Sequence, residues 1–97
     1  MLTFILKKEW FDKIKRGEKT VEYREMTDYW KKRIEKLRFA TYEPVPLILF
    51  RKGYTKHTLL AVVNEIWPLA SGRLTDLHTD KPVYAIKFKL VTKGDTK

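Results

Sequence analysis

A single glycine near the start of the chain separates a helical pattern from a strand pattern, and this switch constrains the fold most. Residues 9–16 carry three apolar side chains at helical spacing, and Gly17 follows them. Glycine adopts most readily the left-handed conformation that ends a helix. Residues 20–24 then alternate, which predicts a strand with Val21 and Tyr23 on its core-facing side.

The other side of this predicted strand brings ionisable groups together. Glu22 and Arg24 lie two residues apart and leave the strand on the same face, with Lys19 in the turn before it. They offer a cation, a candidate general base and a planar guanidinium that can bind a phosphate or the edge of a base. The alternative is structural: Glu22 and Arg24 neutralise each other. From the residues alone, this structural alternative is slightly preferred.

The spacing of these residues also resembles a known family signature. Gly17, Lys19, Glu22 and Arg24 follow the pattern G-x-K-x-x-E-x-R directly after the first helix, which is similar to the signature of the ASCH (activating-signal-cointegrator homology) domain family. The pattern F-R-x-G-Y at residues 50–54 looks like one in some bacterial and phage ASCH domains. The resemblance implies a small, mostly antiparallel β pseudo-barrel with two flanking helices, similar to the PUA fold. It also implies that the signature residues line a ligand cleft.

Two classes of function follow from this resemblance. Some ASCH and PUA-like domains bind RNA; others are enzymes, including ribonucleases and amidohydrolases that deacetylate acetylated cytidine. In the amidohydrolases a nucleophilic threonine stands three places after the lysine, where this chain has Glu22. A carboxylate does not replace that hydroxyl, so we expect an RNA- or nucleotide-binding domain with a basic cleft. The alternative is a hydrolase acting on RNA or a modified nucleoside, with Lys19 and Glu22 as its acid–base pair.

The charge of the chain agrees with a polyanionic partner but does not prove one. Lysine and arginine number 21 against 12 acidic residues, which gives a net charge of +9. A solvated basic surface explains this balance about as well as nucleic-acid binding does. Tyr42, Tyr54 and His57 are candidate stacking platforms for unpaired bases, whereas the tryptophans are expected in the core. We predict RNA or a nucleotide as partner and the following ligand-binding residues: Lys19, Glu22, Arg24, Arg51, Lys52, Tyr54 and His57.

The remaining patterns predict an α+β domain in the order strand, helix, strand, helix and three strands. Its segments are a strand over residues 2–7, a helix from Thr27 or Asp28 to about Leu37, strands over 47–50, 58–67 and 83–91, and a loop over 68–82 with a helical turn around 73–77. Pro44 and Pro46 exclude a helix between them. The apolar run at 58–67 predicts a strand covered on both faces. The expected core comprises Phe4, Leu6, Ile14, Val21, Tyr23, Val62, Ile86 and Phe88.

Composition excludes several other classes of protein. The 97 residues predict one domain over residues 1–92 with a polar tail at 93–97. Without cysteine the chain has no disulfide and no thiolate metal site, and we expect no cofactor. The spacing Asp76-x-His78-x-Asp80 is interpreted as a surface loop rather than a metal site. No run is long enough for a signal peptide or a membrane span, so we expect a cytoplasmic protein without a membrane partner.

Overall fold

The computed structural model describes residues 2–38 and 46–91 of the chain. Its elements are β1 (Leu2–Leu6), α1 (Lys8–Lys15), β2 (Val21–Glu25), α2 (Asp28–Arg38), β3 (Leu47–Lys52), β4 (Thr58–Leu69) and β5 (Val83–Leu90). This order confirms the sequence prediction of an α+β domain with two helices and five strands. The predictions for Tyr42, Pro44 and the 93–97 tail lie outside the described residues. Neither described helix is long and apolar enough to cross a membrane.

The five strands form one curled, mostly antiparallel half-barrel sheet. The strand order is β1-β3-β4-β5-β2, and β1 pairs with β3 in parallel while the other neighbours are antiparallel. Strands β1 and β2 are therefore the two edges of the sheet. Because the sheet is curled, residues from both edges line one cleft. The fold thus places the signature strand β2 opposite β1.

The core fills the inside of the curled sheet. Alternate residues of four strands point into it, because successive strand side chains leave opposite faces. Helix α2 contributes Ile34, which is fully buried, with Trp30 and Leu37 partly buried beside it, as the helical spacing predicts. The buried cluster contains Phe4, Leu6, Phe11, Ile14, Ile34, Ile48, Phe50, Ala61, Val63, Tyr84, Ile86 and Phe88. Each such side chain stabilises the fold by about 1.5–3 kcal/mol.

Strand β2 faces the opposite way from the prediction. Val21 and Tyr23 are only half-buried and lie outside the core cluster, whereas Glu22 is 5% exposed. The register explains this: Glu22 pairs across the sheet with Ile86, which is fully buried, and cross-strand partners share a face. Alternation correctly separates the two sides of β2, but the core side is the one with Glu22 and Arg24.

Strand β4 is not covered on both faces, so that prediction is wrong. Only Ala61 and Val63 are buried along its length, and Val62 is half-buried on the outer face. Both described helices contribute their buried residues to the core on the inner face, which leaves the outer face of β4 partly open to solvent. The prediction of Val62 as a core residue is therefore wrong, and its neighbours Ala61 and Val63 are buried instead. A register shift interrupts the β4–β5 pairing between Val63 and Glu65.

Two turns follow the prediction and one does not. Gly17 and Gly53 both adopt positive φ angles, of 81° and 54°, as expected for a helix end and a tight turn. The helical turn predicted around residues 73–77 is wrong. Those residues instead form turns closed by an antiparallel bridge between Gly72 and Thr79. Thr75 stabilises this turn by donating a 2.7 Å hydrogen bond from its hydroxyl to the Gly72 carbonyl.

Candidate functional site

A cleft of about 730 Å³ lies between the edges of β1 and β2. Its volume falls within the range of about 300–1,000 Å³ that small-molecule sites occupy. The start of α2 and the loop between β4 and β5 complete its walls. The lining residues are Thr3, Ile5, Leu6, Lys7, Trp10, Glu22, Tyr23, Arg24, Glu25, Thr27, Tyr29, Trp30, Asp76 and Leu77.

Arg24 is held against two aromatic rings at the wall of the cleft. The rings of Phe4 and Trp30 are stacked with their centroids 5.0 Å apart, and the Arg24 guanidinium carbon lies 5.0 and 5.2 Å from the two centroids. Its Nη1 pairs with Glu22 and donates a 2.8 Å hydrogen bond to the Tyr23 carbonyl. The Nη2 and Nε donors make no hydrogen bond to any described residue. The guanidinium therefore has a fixed plane and unused donors beside the cleft.

Glu22 is a buried carboxylate with a cation on each oxygen. Its side chain is 6% exposed, its Oε2 pairs with Arg24, and its Oε1 lies 3.3 Å from the Lys19 ammonium. A buried charge is tolerated only when it is paired and hydrogen-bonded. The two cations explain why β2 can turn this residue towards the core. The structure thus contains the ion pair between Glu22 and Arg24 that the sequence analysis gave as the structural alternative.

Lys19 lies in the turn before β2, as its sequence position requires. Its ammonium pairs with Asp76 and donates a 2.8 Å hydrogen bond to the Val21 carbonyl. The ring centroids of Trp10 and Tyr23 lie 5.5 and 5.2 Å away. The side chain is 9% exposed, so most of it is enclosed by these neighbours. Such enclosure fixes the ammonium in position and limits its exposure to solvent.

Asp76 is a site residue whose role the sequence analysis missed. It lies 57 positions after Lys19, in the loop between β4 and β5, and it lines the cleft. The sequence analysis assigned Asp76, in its spaced trio with His78 and Asp80, to a surface loop without a role in the site. In the structure Asp76 pairs with Lys19 and Asp80 pairs with Arg73. No group of three potential metal ligands occurs within residues 2–38 and 46–91.

The charges of the cleft are balanced rather than uniformly basic. Arg24, Glu22, Lys19 and Asp76 alternate in sign, and each contacts the next. The charged part of the cleft wall comes from Lys7, Glu22, Arg24, Glu25 and Asp76. Lys19 lines a smaller neighbouring pocket instead, together with Trp10, Tyr23 and Asp76. The net charge of +9 therefore comes from residues elsewhere on the chain.

The structure separates the sequence-predicted ligand residues into two groups. Lys19, Glu22 and Arg24 form the cluster just described, and two of them, Glu22 and Arg24, line the cleft. The other four lie on β3 and the turn after it, and none of them lines the cleft. They are Arg51, with its Nε buried and unbonded among the described residues, Lys52, paired with Asp12 at 3.2 Å, and the exposed Tyr54 and His57. Their role in ligand binding stays a prediction, but they do not extend the cleft.

Aromatic side chains of the helices line the cleft and were not among the predicted ligand residues. Trp10 and Trp30, which the sequence analysis assigned to the core, pack against it and also line the cleft. Tyr29 is 55% exposed, and its ring meets that of Trp30 edge-on at 4.9 Å. Tyr29 and Trp30 are adjacent at the start of α2, and two adjacent helical residues cannot both face the core. This adjacency was the signal in the sequence that one of the two rings lies outside the core.

No protein-family model matches the chain, and no curated protein matches it either.

Proposed function

We propose that this chain is a PUA-like domain of the ASCH type whose cleft binds one nucleobase, carried by a nucleotide or by an RNA strand. The observation that carries the proposal is Arg24, fixed on the Phe4 and Trp30 rings with two of its nitrogens unused. A planar guanidinium with spare donors can hydrogen-bond the edge of a base in one orientation. The resemblance of residues 17–24 to the ASCH signature supports the same conclusion.

The aromatic wall supports a base as the bound group. Trp10, Tyr23, Tyr29 and Trp30 all line the cleft. Stacking of an unpaired base on an aromatic ring is worth about 1–3 kcal/mol per base and works for every base because each has a π-face. Aromatic walls that alternate with polar side chains suit a flat ligand with apolar faces and a polar edge, as a base is.

The charge balance favours a base over a phosphate inside the cleft. Lys19 is shared between Glu22 and Asp76, so its positive charge is already compensated. Phosphate sites instead present uncompensated cations or backbone N–H groups. The polar groups of this cleft match the mixed donors and acceptors of a base edge better than they match an anion.

Binding also accounts for Glu22 better than acid–base catalysis does. A general base must reach a proton of the substrate. Both oxygens of Glu22 are engaged, by Arg24 and by Lys19, and its side chain is almost fully buried. We therefore assign to Glu22 the positioning of the two cations, and we keep hydrolysis of RNA or a modified nucleoside as the alternative that a turnover assay decides.

Calorimetry with nucleoside monophosphates tests this function. We expect saturable binding that ribose 5-phosphate, which lacks a base, does not reproduce. Replacing the guanidinium in Arg24→Met should weaken binding about 10- to 150-fold, because hydrogen bonds to charged groups contribute about 1.5–3 kcal/mol. The matched control is Arg73→Met, an arginine that is 73% exposed and lies outside the cleft lining.

Two results would contradict the proposal. One is the absence of nucleotide binding by the native protein at low salt. The other is an equal loss of affinity in Arg24→Met and Arg73→Met, which would indicate a general charge effect. Mass spectrometry of the same mixtures reports any product, and conversion of a nucleotide or RNA by the native protein would favour the hydrolase instead.

A further inference from the structure

A row of exposed side chains runs along α2 away from the cleft. Tyr29, Lys32, Arg33 and Lys36 are all exposed and stand three, four and seven residues apart from the first. This spacing places them on one face of a helix. We call these four residues the α2 stripe. It carries three positive charges on its solvent side.

The α2 stripe begins at the mouth of the cleft. Tyr29 lines the cleft, and the Arg33 guanidinium carbon lies 3.6 Å from the centroid of its ring. Arg33 also donates a 2.9 Å hydrogen bond from Nη1 to the Tyr29 carbonyl, which fixes the pair. A helix rises 1.5 Å per residue, so Lys36 lies roughly 10 Å along the axis from Tyr29. The stripe is thus a continuous positive path that leads from the cleft.

The three cations of the α2 stripe have no carboxylate partner among the described residues. Glu35, on the same helix, accepts a 2.5 Å hydrogen bond from the Tyr84 hydroxyl. No ion pair joins Lys32 or Lys36 to a carboxylate within residues 2–38 and 46–91. On α1, by contrast, Lys8 pairs with Asp12 at 2.9 Å. A row of unpaired cations attracts an external polyanion.

We infer that the α2 stripe binds the phosphates of a single-stranded nucleic acid whose base occupies the cleft. This inference rests on the proposed function and makes the ligand a strand rather than a free nucleotide. Only a strand carries further phosphates at the distance of Lys36, and only an unpaired base can enter the cleft. An anionic membrane fits less well, because the apolar face of α2, with Ile34 fully buried, is already packed in the core.

Salt-dependent binding to a short labelled oligonucleotide tests the α2 stripe. The variant is Lys32→Gln with Lys36→Gln, which keeps helix propensity and removes two charges. For single strands the log–log salt slope is about −0.7 per neutralised phosphate, so the slope should become shallower by about 1.4. Affinity for a mononucleotide should stay within about twofold of the native value, because neither lysine lines the cleft.

The matched control removes the same charge from another face. Lys87 and Lys89 are exposed on the outer side of β5 and lie outside the cleft lining. Lys87→Gln with Lys89→Gln should leave the salt slope within about 0.3 of the native value, well short of the change expected for the stripe. Equal slopes in native and stripe variants, or equal changes in stripe and control variants, would overturn the inference. The same holds if anionic vesicles, and no oligonucleotide, bind in a stripe-dependent way.

The experiment also separates this inference from the proposed function. Strand binding that depends on the stripe but not on Arg24 would retain the phosphate surface and reject the base-binding cleft. Suppose instead that mononucleotide binding depends on Arg24 and that strand binding is unchanged in the stripe variant. That result would retain the base-binding cleft and reject the phosphate surface. RNA and DNA of one sequence are compared in parallel: a stripe-dependent slope with either supports the inference, and their relative affinities identify the strand, because only RNA offers the 2′-hydroxyl.

Discussion

Replacing Glu22 by glutamine should destabilise the domain strongly, although the side chains have the same shape. The carboxylate is 6% exposed and is paired with Arg24 and Lys19. Removing one partner of a buried ion pair typically costs about 3–5 kcal/mol, because the other charge is left uncompensated. Lys19 keeps Asp76, whereas Arg24 keeps only the Tyr23 carbonyl among its described polar partners. Because each cation keeps at least one other polar partner, we expect the free energy of unfolding to fall by the low end of this range, about 3 kcal/mol.

Thermal and urea denaturation measure this effect. For a domain of this size, 1 kcal/mol shifts the melting temperature by about 4–8 °C, so Glu22→Gln should melt roughly 12–24 °C lower. Glu25→Gln is the matched control on the same strand, since Glu25 makes no ion pair with a described residue. Its free energy of unfolding should change by no more than about 0.5 kcal/mol.

A double-mutant cycle identifies the cause of the loss. If the unpaired guanidinium is responsible, Glu22→Gln with Arg24→Met should be less destabilised than the sum of the single variants by about 0.5–3 kcal/mol. Additive losses would refute the ion-pair explanation. So would a Glu22→Gln protein with native stability, which would instead agree with a carboxylate kept free for catalysis.

Three further predictions test the fold. Val63→Asp should destabilise by more than about 4 kcal/mol and abolish the cooperative melt, because it buries an unpaired charge, whereas Val62→Asp, on the outer face, should still fold. Gly17→Ala should cost about 1–2 kcal/mol in urea denaturation, since its φ is 81° and a side chain there is strained even with no atom within 4 Å of the added carbon. The hydrogen bond from Lys8 lowers the pKa of Asp12, so the stabilisation is present above the unfolded pKa and lost as the pH falls through the folded pKa. Asp12→Asn should therefore flatten the loss of stability below about pH 4, and an unchanged acid slope would contradict this assignment.

The sequence predicts those parts of the fold that local conformation determines. Gly17 marks the helix end because few other residues tolerate its φ angle, and the second half of β5 alternates, with Lys87 and Lys89 outside. Alternation alone does not identify the core side of a strand, which depends on its cross-strand partners. For β2 the pairing with Ile86 selects the face with Glu22, against the hydrophobicity of the residues themselves.

The candidate site was predictable only in its signature residues. Lys19, Glu22 and Arg24 share a short stretch, so their proximity follows from the chain itself. Asp76 is 57 positions away from Lys19 in the chain, and only the tertiary fold brings the two side chains into contact. No local sequence pattern indicates this contact. Whether Arg51 lies beside this cluster likewise depends on the order of the strands in the sheet. The sheet order places β3 beside β1 but leaves Arg51 outside the cleft lining.

Nuclear magnetic resonance can map where a nucleotide binds and so decide whether the cleft between β1 and β2 holds a base. A nucleoside monophosphate should shift the indole N–H signals of Trp10 and Trp30 and the side-chain N–H signals of Arg24, because all three residues line the cleft. The Trp67 indole should stay unchanged. Shifts confined to the turn around Tyr54 and His57, or no saturable shift at all, would contradict a base-binding cleft.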